Sequence, residues 1–199
     1  MINLKNKNVY IITGNPNKAK NAMEILGSVL DNVSHYAINL PEIQSLDLHE
    51  IVQHKLQHAL ANFKGEKKGA YLIVEDISLE FESMGRLPGT LVKFFCSELG
   101  VDKMCKMLDG INCKNRNATI KCVIGIAVAA DKNIKNATFL QSELKGTVAL
   151  ESRGDGGFGF DKIFIPQIFN NKTAGELTDT EYKQYFATIR NYNRLVNCI

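Results

Sequence analysis

No apolar run in this 199-residue chain approaches the roughly 20 residues of a membrane-crossing helix, so no membrane partner is expected. Charge of one sign is also lacking: 24 Lys and Arg stand against 21 Asp and Glu, a net +3. A bias that small gives no argument for a nucleic-acid partner. Five cysteines, Cys96, Cys105, Cys113, Cys122 and Cys198, make no C-x-x-C pair and leave one over. No apolar leader opens the chain. Together these absences predict reduced thiols and a cytoplasmic protein. Repeats, low-complexity tracts and linkers are missing as well. What remains is a single domain over residues 1–199, long enough to bury a core.

The stretch from Ala70 to Phe95 carries the most chemistry. Tyr71 to Val74 is a short unbroken apolar run, which suits a strand covered on both faces. It is expected to end at Glu75 and Asp76. Acids at the end of a buried strand sit at the lip of the sheet, where open α/β folds keep their sites. A turn at Leu87-Pro88-Gly89 follows, and then Lys93 lies alone in an apolar stretch. An acidic rim suited to a hard cation, followed by a lone cation suited to an anion, points to metal-bound phosphate. Side chains alternate along a strand, so Asp76 shares a face with Leu72 and Val74, and Glu75 shares one with Ile73. One acid then faces a ligand, while the other caps a turn or pairs with a lysine.

Other segments frame that stretch. Asn8 to Thr13 reads as a first strand. Asn15 and Pro16 read as the N-cap and first residue of a helix running to about Leu30. Ala19, Ala22, Met23, Leu26, Val29 and Leu30 make its apolar stripe. Lys18 falls in the first turn, where the helix dipole disfavours a cation. A bound anion would offset it; the alternative is a solvated lysine. Thr13 to Lys18 is not a Walker loop, because the second glycine and the Lys-Ser/Thr ending are absent.

Val33 to Leu40 suits a second strand. Glu42 lies in the loop after it, as a potential metal ligand or a surface acid. Asp47 and Glu50 fit a capping box before a helix to about Phe63. Leu48, Ile51, Val52, Leu56, Ala59, Leu60 and Phe63 face inward on it. His54 and His58 are one turn apart but lack H-E-x-x-H, and read as a wet face. Two short helices, Leu91 to Leu99 and Asp102 to Leu108, precede a hairpin of Thr119 to Ala130 with Asn136 to Glu143.

Gly154 to Gly159 matches G-x-G-x-x-G. A dinucleotide fold would need a helix to follow, and Phe160 to Pro166 reads as a strand instead. The better reading is a mobile glycine loop carrying Phe158, Phe160 and Asp161. The ring stacks on a nucleobase and the acid accepts from base N–H. The competing reading is a glycine turn with two core phenylalanines. A capping box at Thr178 and Glu181 starts the last helix. Tyr182, Tyr185, Phe186, Ile189 and Val196 face inward there, with Lys183 and Arg190 on other faces.

Five motifs in order span nearly the whole chain: T-G-N-P-N-K at 13–18, L-P-E-I-Q at 40–44, V-E-D-I-S-L at 74–79, L-P-G-T-L-V-K-F-F at 87–95 and G-F-G-F-D at 157–161. Together they resemble the inosine triphosphate pyrophosphatases, the Ham1 or non-canonical purine NTP pyrophosphatase family. The resemblance implies an α/β fold, elongated and two-lobed, with a long mixed β-sheet flanked by helices and an active-site cleft between the lobes. It implies a homodimer and Mg²⁺-dependent hydrolysis of ITP, dITP and XTP to the monophosphate and pyrophosphate, cleansing the nucleotide pool. By position it implies that Thr13, Asn15, Lys18 and Lys93 bind substrate, the two lysines through phosphates. Glu42 and Asp76 would serve the metal, and an acid among Glu42, Glu75 and Asp76 would take a proton from water. Phe158, Phe160 and Asp161 would line the base pocket, Phe160 standing where the family has tryptophan. The family pattern K-N-x-x-S-H-R is matched only in part, by Lys183 and, with a one-residue shift, by Arg190; its histidine is missing. Two other classes remain open from sequence: a Maf-like pyrophosphatase for pyrimidine or modified nucleotides, and a catalytically idle nucleotide-binding protein.

Overall fold

A computed structural model of the chain describes residues 4–111, 114–192 and 194–195. In chain order the elements are β1 (Val9–Ile12), α1 (Pro16–Gly27), β2 (Val33–Tyr36), α2 (Leu48–Asn62), β3 (Tyr71–Phe81) and β4 (Pro88–Gly89). Then come α3 (Val92–Phe94), which continues as a π-helical turn over Phe95–Leu99, α4 (Val101–Gly110), β5 (Asn117–Val128), β6 (Thr138–Val148), β7 (Phe164–Pro166) and α5 (Asp179–Ile189). The strands form one seven-stranded mixed sheet in the order β2-β1-β3-β5-β6-β7, with β4 paired to β3. This is the α/β class with a mixed sheet that the family resemblance implies. The chain divides into two compact units. One comprises the segment up to Asp76, Val123–Gln141 and the segment from Arg190; the other comprises Ile77–Cys122 and Ser142–Ile189.

In the first unit β1 pairs in parallel with both β2 and β3, Val9 standing opposite Val33 and Tyr71. Parallel neighbours need a crossover, and α1 supplies the one between β1 and β2. Asn15 caps α1 as expected: its side chain accepts from the N–H groups of Asn17 and Lys18 at 3.0 and 3.2 Å. The helix ends at Gly27, short of the expected Leu30, and Val29 is exposed rather than inward. The capping box at α2 is relayed. Asp47 accepts from the His49 N–H, while Glu50 accepts from the Ser45 hydroxyl, which itself accepts from the Asp47 N–H. The stripe of α2 packs with Leu72 and Val74 of β3 and Val123 and Ala127 of β5 in one apolar core. Gly125 permits that close approach, because a Cβ there would lie 3.1 Å from Val52 and 3.0 Å from Phe139.

Strand β3 corrects the sequence reading. It does not end at Glu75 and Asp76 but continues to Phe81, so both acids are mid-strand. Apolar Leu79 and Phe81 resume the buried alternation, and β4 pairs with Leu79 and Glu80. Other bounds move as well: β2 stops at Tyr36, β5 lies two residues earlier than expected, β6 runs on to Val148 rather than ending at Glu143, and β7 begins only at Phe164, after a turn through residues 159–163.

The second unit packs Leu79, Ile120, Leu108, Phe164 and Phe186 among its buried apolar side chains. Arg116 ties it internally, donating to the carbonyls of Cys105, Val148 and Ala149 and to the Asp109 carboxylate. The start of α5 carries the expected reciprocal box. Thr178 N–H donates to Glu181 Oε2 at 2.9 Å, and Glu181 N–H donates back to Thr178 Oγ1. The Lys172 ammonium adds bonds of 2.8 and 3.0 Å to the same carboxylate. Tyr185, Phe186 and Ile189 are buried and Tyr182 half-buried. Val196, expected inward, lies outside the described residues, as do Cys113 and Cys198.

Candidate active site

In the first unit three acids and three cations form an alternating row. Its first members are Glu42 in the loop before α2 and Lys55 on α2. The Lys55 ammonium donates to Glu42 Oε1 at 2.9 Å and to Asp76 Oδ2 at 2.7 Å. Lys18, in the first turn of α1, stands 3.5 Å from Asp76 Oδ1 and 3.6 Å from Glu75 Oε1. Arg190 Nε donates to Glu75 Oε1 at 2.9 Å, and Tyr192 donates its hydroxyl to Glu75 Oε2 at 2.8 Å. The row thus reads Glu42, Lys55, Asp76, Lys18, Glu75, Arg190. Strand alternation explains the split: Asp76 shares the Leu72–Val74 face packed on α2, where Lys55 waits, and Glu75 points the other way.

The electrostatics follow the contacts. Burial pushes the Lys55 ammonium toward losing its proton, but the Asp76 and Glu42 carboxylates outweigh it and hold its pKa above the ordinary lysine value. Burial likewise disfavours charge on Glu75. The Arg190 and Lys18 charges, with the bonds from Arg190 and Tyr192, outweigh burial and keep that carboxyl below its usual range. The misplaced cation at the start of α1 is also explained. The anions that offset Lys18 are the protein's own, Glu75 and Asp76.

Lys55 was not among the residues predicted from sequence, although a signal was present. It occupies position i+4 from Ile51 and i+3 from Val52, inside the apolar stripe of α2, and is only 4% exposed. A buried cation is rarely left unpaired, so a lysine on such a stripe marks a buried acid facing it. Thr13 and Asn15 form the turn before α1, with Asn15 N–H donating to Thr13 Oγ1.

In the second unit, Asp161 is 4% exposed, and its carboxylate is already engaged. Oδ2 accepts from the Phe158 N–H at 2.8 Å and the Tyr182 hydroxyl at 2.7 Å; Oδ1 accepts from the Tyr185 hydroxyl at 3.0 Å. Three of its roughly four acceptor positions are therefore filled from within the protein. Phe160 is buried among core residues, which removes it as a stacking face, whereas Phe158 is half-exposed. Gly154–Gly159 opens no helix; a turn through residues 159–163 and then β7 follow. Lys93 on α3 and Lys183 on α5 are exposed in this unit. Arg190 belongs to the first unit, where its Nε donates to Glu75 Oε1.

Among the described residues no group of three or more His, Cys, Asp or Glu side chains is placed to hold a metal ion. His54 is exposed and His58 half-exposed, as read from sequence. Cys96, Cys105 and Cys122 are free thiols. Burial, then the Asp161 charge, pushes the Cys96 thiol up to about 11. Burial likewise puts Cys105 at about 11, so neither is a ready nucleophile.

Glu42 and Asp76, joined by Lys55, and Lys18 beside them come from three of the five sequence motifs. A sequence model described as the Ham1 family matches residues 9–195. This chain belongs to the Ham1 family. The relatives of the Ham1 protein include inosine triphosphate pyrophosphatase 2 of Trypanosoma cruzi, 32% identical over 88% of this chain and 84% of the relative. They also include the dITP/XTP pyrophosphatase of Ignicoccus hospitalis, 29% identical over 95% of each chain. The solved structure of a HAM1 protein from Coxiella burnetii shares the fold with a TM-score of 0.76, at 20% identity, covering 97% of this chain and 100% of that one.

Proposed function

We propose that this Ham1-family protein hydrolyses the non-canonical purine nucleoside triphosphates ITP, dITP and XTP to the monophosphate and pyrophosphate. The observation that carries the reading is the Glu42–Lys55–Asp76–Lys18 row. It sets two acids and a cation of the α1 start where a polyphosphate and an attacking water can be handled together. The relatives' names, inosine triphosphate pyrophosphatase and dITP/XTP pyrophosphatase, support the same substrates.

The donor set fits Mg²⁺. The Lys55 ammonium brings the Glu42 and Asp76 carboxylates together, and Mg²⁺ takes one or two carboxylates plus phosphates and waters, so the remaining oxygens of these two side chains would hold it. When bound, it would polarise phosphate oxygens and acidify a water. The chain's own residues do the rest. Lys55, held at both acids by short bonds, fixes their orientation. Lys18 stands at 3.5–3.6 Å from its acids, longer than a tight charge-assisted bond. It is the cation free to turn toward phosphate, where it offsets charge on the leaving pyrophosphate. Water attacks the α-phosphorus, the bond to the bridging oxygen breaks, and the Glu42–Asp76 pair accepts the water's proton. Glu75, with both oxygens held by Arg190 and Tyr192, orients Lys18 rather than taking a proton. A 6-oxo purine presents an acceptor where adenine presents a donor. With Arg190 on Glu75, a backbone N–H is the group that would read it. A homodimer and a cytoplasmic setting belong to the same proposal, and sedimentation velocity checks the first.

The deciding experiment is pyrophosphate release from ITP, XTP, dUTP, GTP and ATP, each with and without Mg²⁺. ITP and XTP should lead, and only with Mg²⁺. Fastest turnover of dUTP, or none of any nucleotide, would overturn the proposal.

A further inference from the structure

Near its C-terminus the chain carries two tyrosines, Tyr182 and Tyr185, on one side of α5. Both hydroxyls end on one carboxylate, that of Asp161. The same carboxylate accepts from the backbone N–H of Phe158. Phe158 is flanked by Gly157 and Gly159, at φ +71° and +63°. A Cβ at Gly157 would come within 2.6 Å of Asp161 Oδ2, so the loop backbone lies directly on the carboxylate. The rings of Tyr182 and Tyr185 are tilted against each other with centroids 5.6 Å apart, which restricts both hydroxyls. Tyr185 is fully buried and Tyr182 half-buried.

From this geometry we infer that Tyr182 and Tyr185 are positioning residues for nucleobase recognition, acting through Asp161 to hold the Phe158 loop. The inference rests on the purine-triphosphate reading above and deepens it. A loop with three positive-φ glycines around one aromatic ring, Gly154, Gly157 and Gly159, has wide backbone freedom. Stacking on a base needs the ring fixed in advance. The Phe158 N–H bond to a buried carboxylate supplies that restraint. A carboxylate this buried keeps its charge and direction only when donors surround it. Phe158 supplies one donor and α5 supplies two more. Asp161 is therefore less a reader of base N–H than a clamp closed by α5.

Two measurements test this on the full-length protein. The first uses no substrate: hydrogen exchange of the Phe158 amide in Tyr182→Phe and Tyr185→Phe, against wild type. The inference requires faster exchange at that amide in both variants, with α2 and β3 amides unchanged. The second is steady-state pyrophosphate release from ITP. Each variant should raise KM about tenfold, the scale of one lost bond to a charged acceptor. Turnover number should change less than twofold, because neither hydroxyl touches the Glu42–Asp76 chemistry. Unaltered Phe158 exchange would overturn the clamp. Faster exchange with an unaltered KM would overturn its role in recognition. A wild type that leaves ITP intact would overturn the functional reading instead, while the exchange result still decides the clamp.

Discussion

Lys55 shows how much a single side chain can organise. Its ammonium joins Glu42 to Asp76, residues 34 positions apart in the chain, inside an otherwise apolar helix face. Lys55→Met keeps the length and removes the charge, leaving two carboxylates without their shared cation. Breaking a buried pair from one side typically costs about 3–5 kcal/mol. Asp76 and Glu42 retain some solvent access, so the low end of that range is expected, read as a drop in the urea midpoint. Pyrophosphate release should fall with it. Asp76→Asn is the sharper test of chemistry. It preserves shape and removes the charge, so turnover should drop about 100-fold or more while nucleotide still binds; unchanged turnover would refute the assignment. Lys18→Ala should weaken triphosphate binding far more than monophosphate binding, and calorimetric titration of both ligands measures it. The sequence showed Lys18, Glu42 and Asp76 as candidates through their motifs. Lys55 carries no motif of its own on an otherwise apolar stripe, and a motif matched only in part does not tell which acid the Arg190 guanidinium meets.

At the level of elements, caps were the most legible feature. Asn15 before Pro16, Asp47 before α2 and Thr178 with Glu181 before α5 are all local in sequence, and all start the helices they were expected to start. Lengths were less legible, for a physical reason. Strand β3 runs through Glu75 and Asp76 because tertiary partners neutralise them, and no local pattern records those partners. Strand β7 is short because Asp161, in the turn before it, engages α5 and the glycine loop instead of a ladder. The cap of α5 also gives a pH prediction. The Lys172 bonds, then the Thr178 N–H bond, lower Glu181 from 4.5 to about 2. A depressed carboxyl stabilises the fold fully above its unfolded value, and that support fades as pH falls from about 4.5 through about 2. Glu181→Gln should therefore be less stable than wild type at pH 7, and the two urea midpoints should converge across that acid window. A gap that persists at pH 2 would place the stabilisation elsewhere.

For the molecule as a whole, the order of the longer helices and strands was legible because most of them carry a repeating apolar pattern, whereas β4 read as a turn. What no pattern announces is the long-range ionic contact. Glu75 and Arg190 lie 115 positions apart and are both nearly enclosed. Arg190 follows α5 directly, so this pair and the Tyr192 hydroxyl bring the chain after α5 to the middle of β3. The contact holds two charges away from water, and its worth depends on both being present. Arg190→Met removes the strongest charge partner of Glu75 and leaves Lys18 and the Tyr192 hydroxyl, so burial shifts the carboxyl toward protonation. A loss of about 3 kcal/mol or more is expected by urea unfolding at pH 7. Combining it with Glu75→Gln removes the stranded charge while keeping a group for Tyr192 to donate to. The double variant should then recover part of the loss, giving a coupling of about 1–3 kcal/mol in the cycle. Strict additivity of the two single losses would mean that Glu75 is held by Lys18 and Tyr192 alone, and the return of the chain to β3 would have to rest on apolar packing around Tyr192 and Leu195.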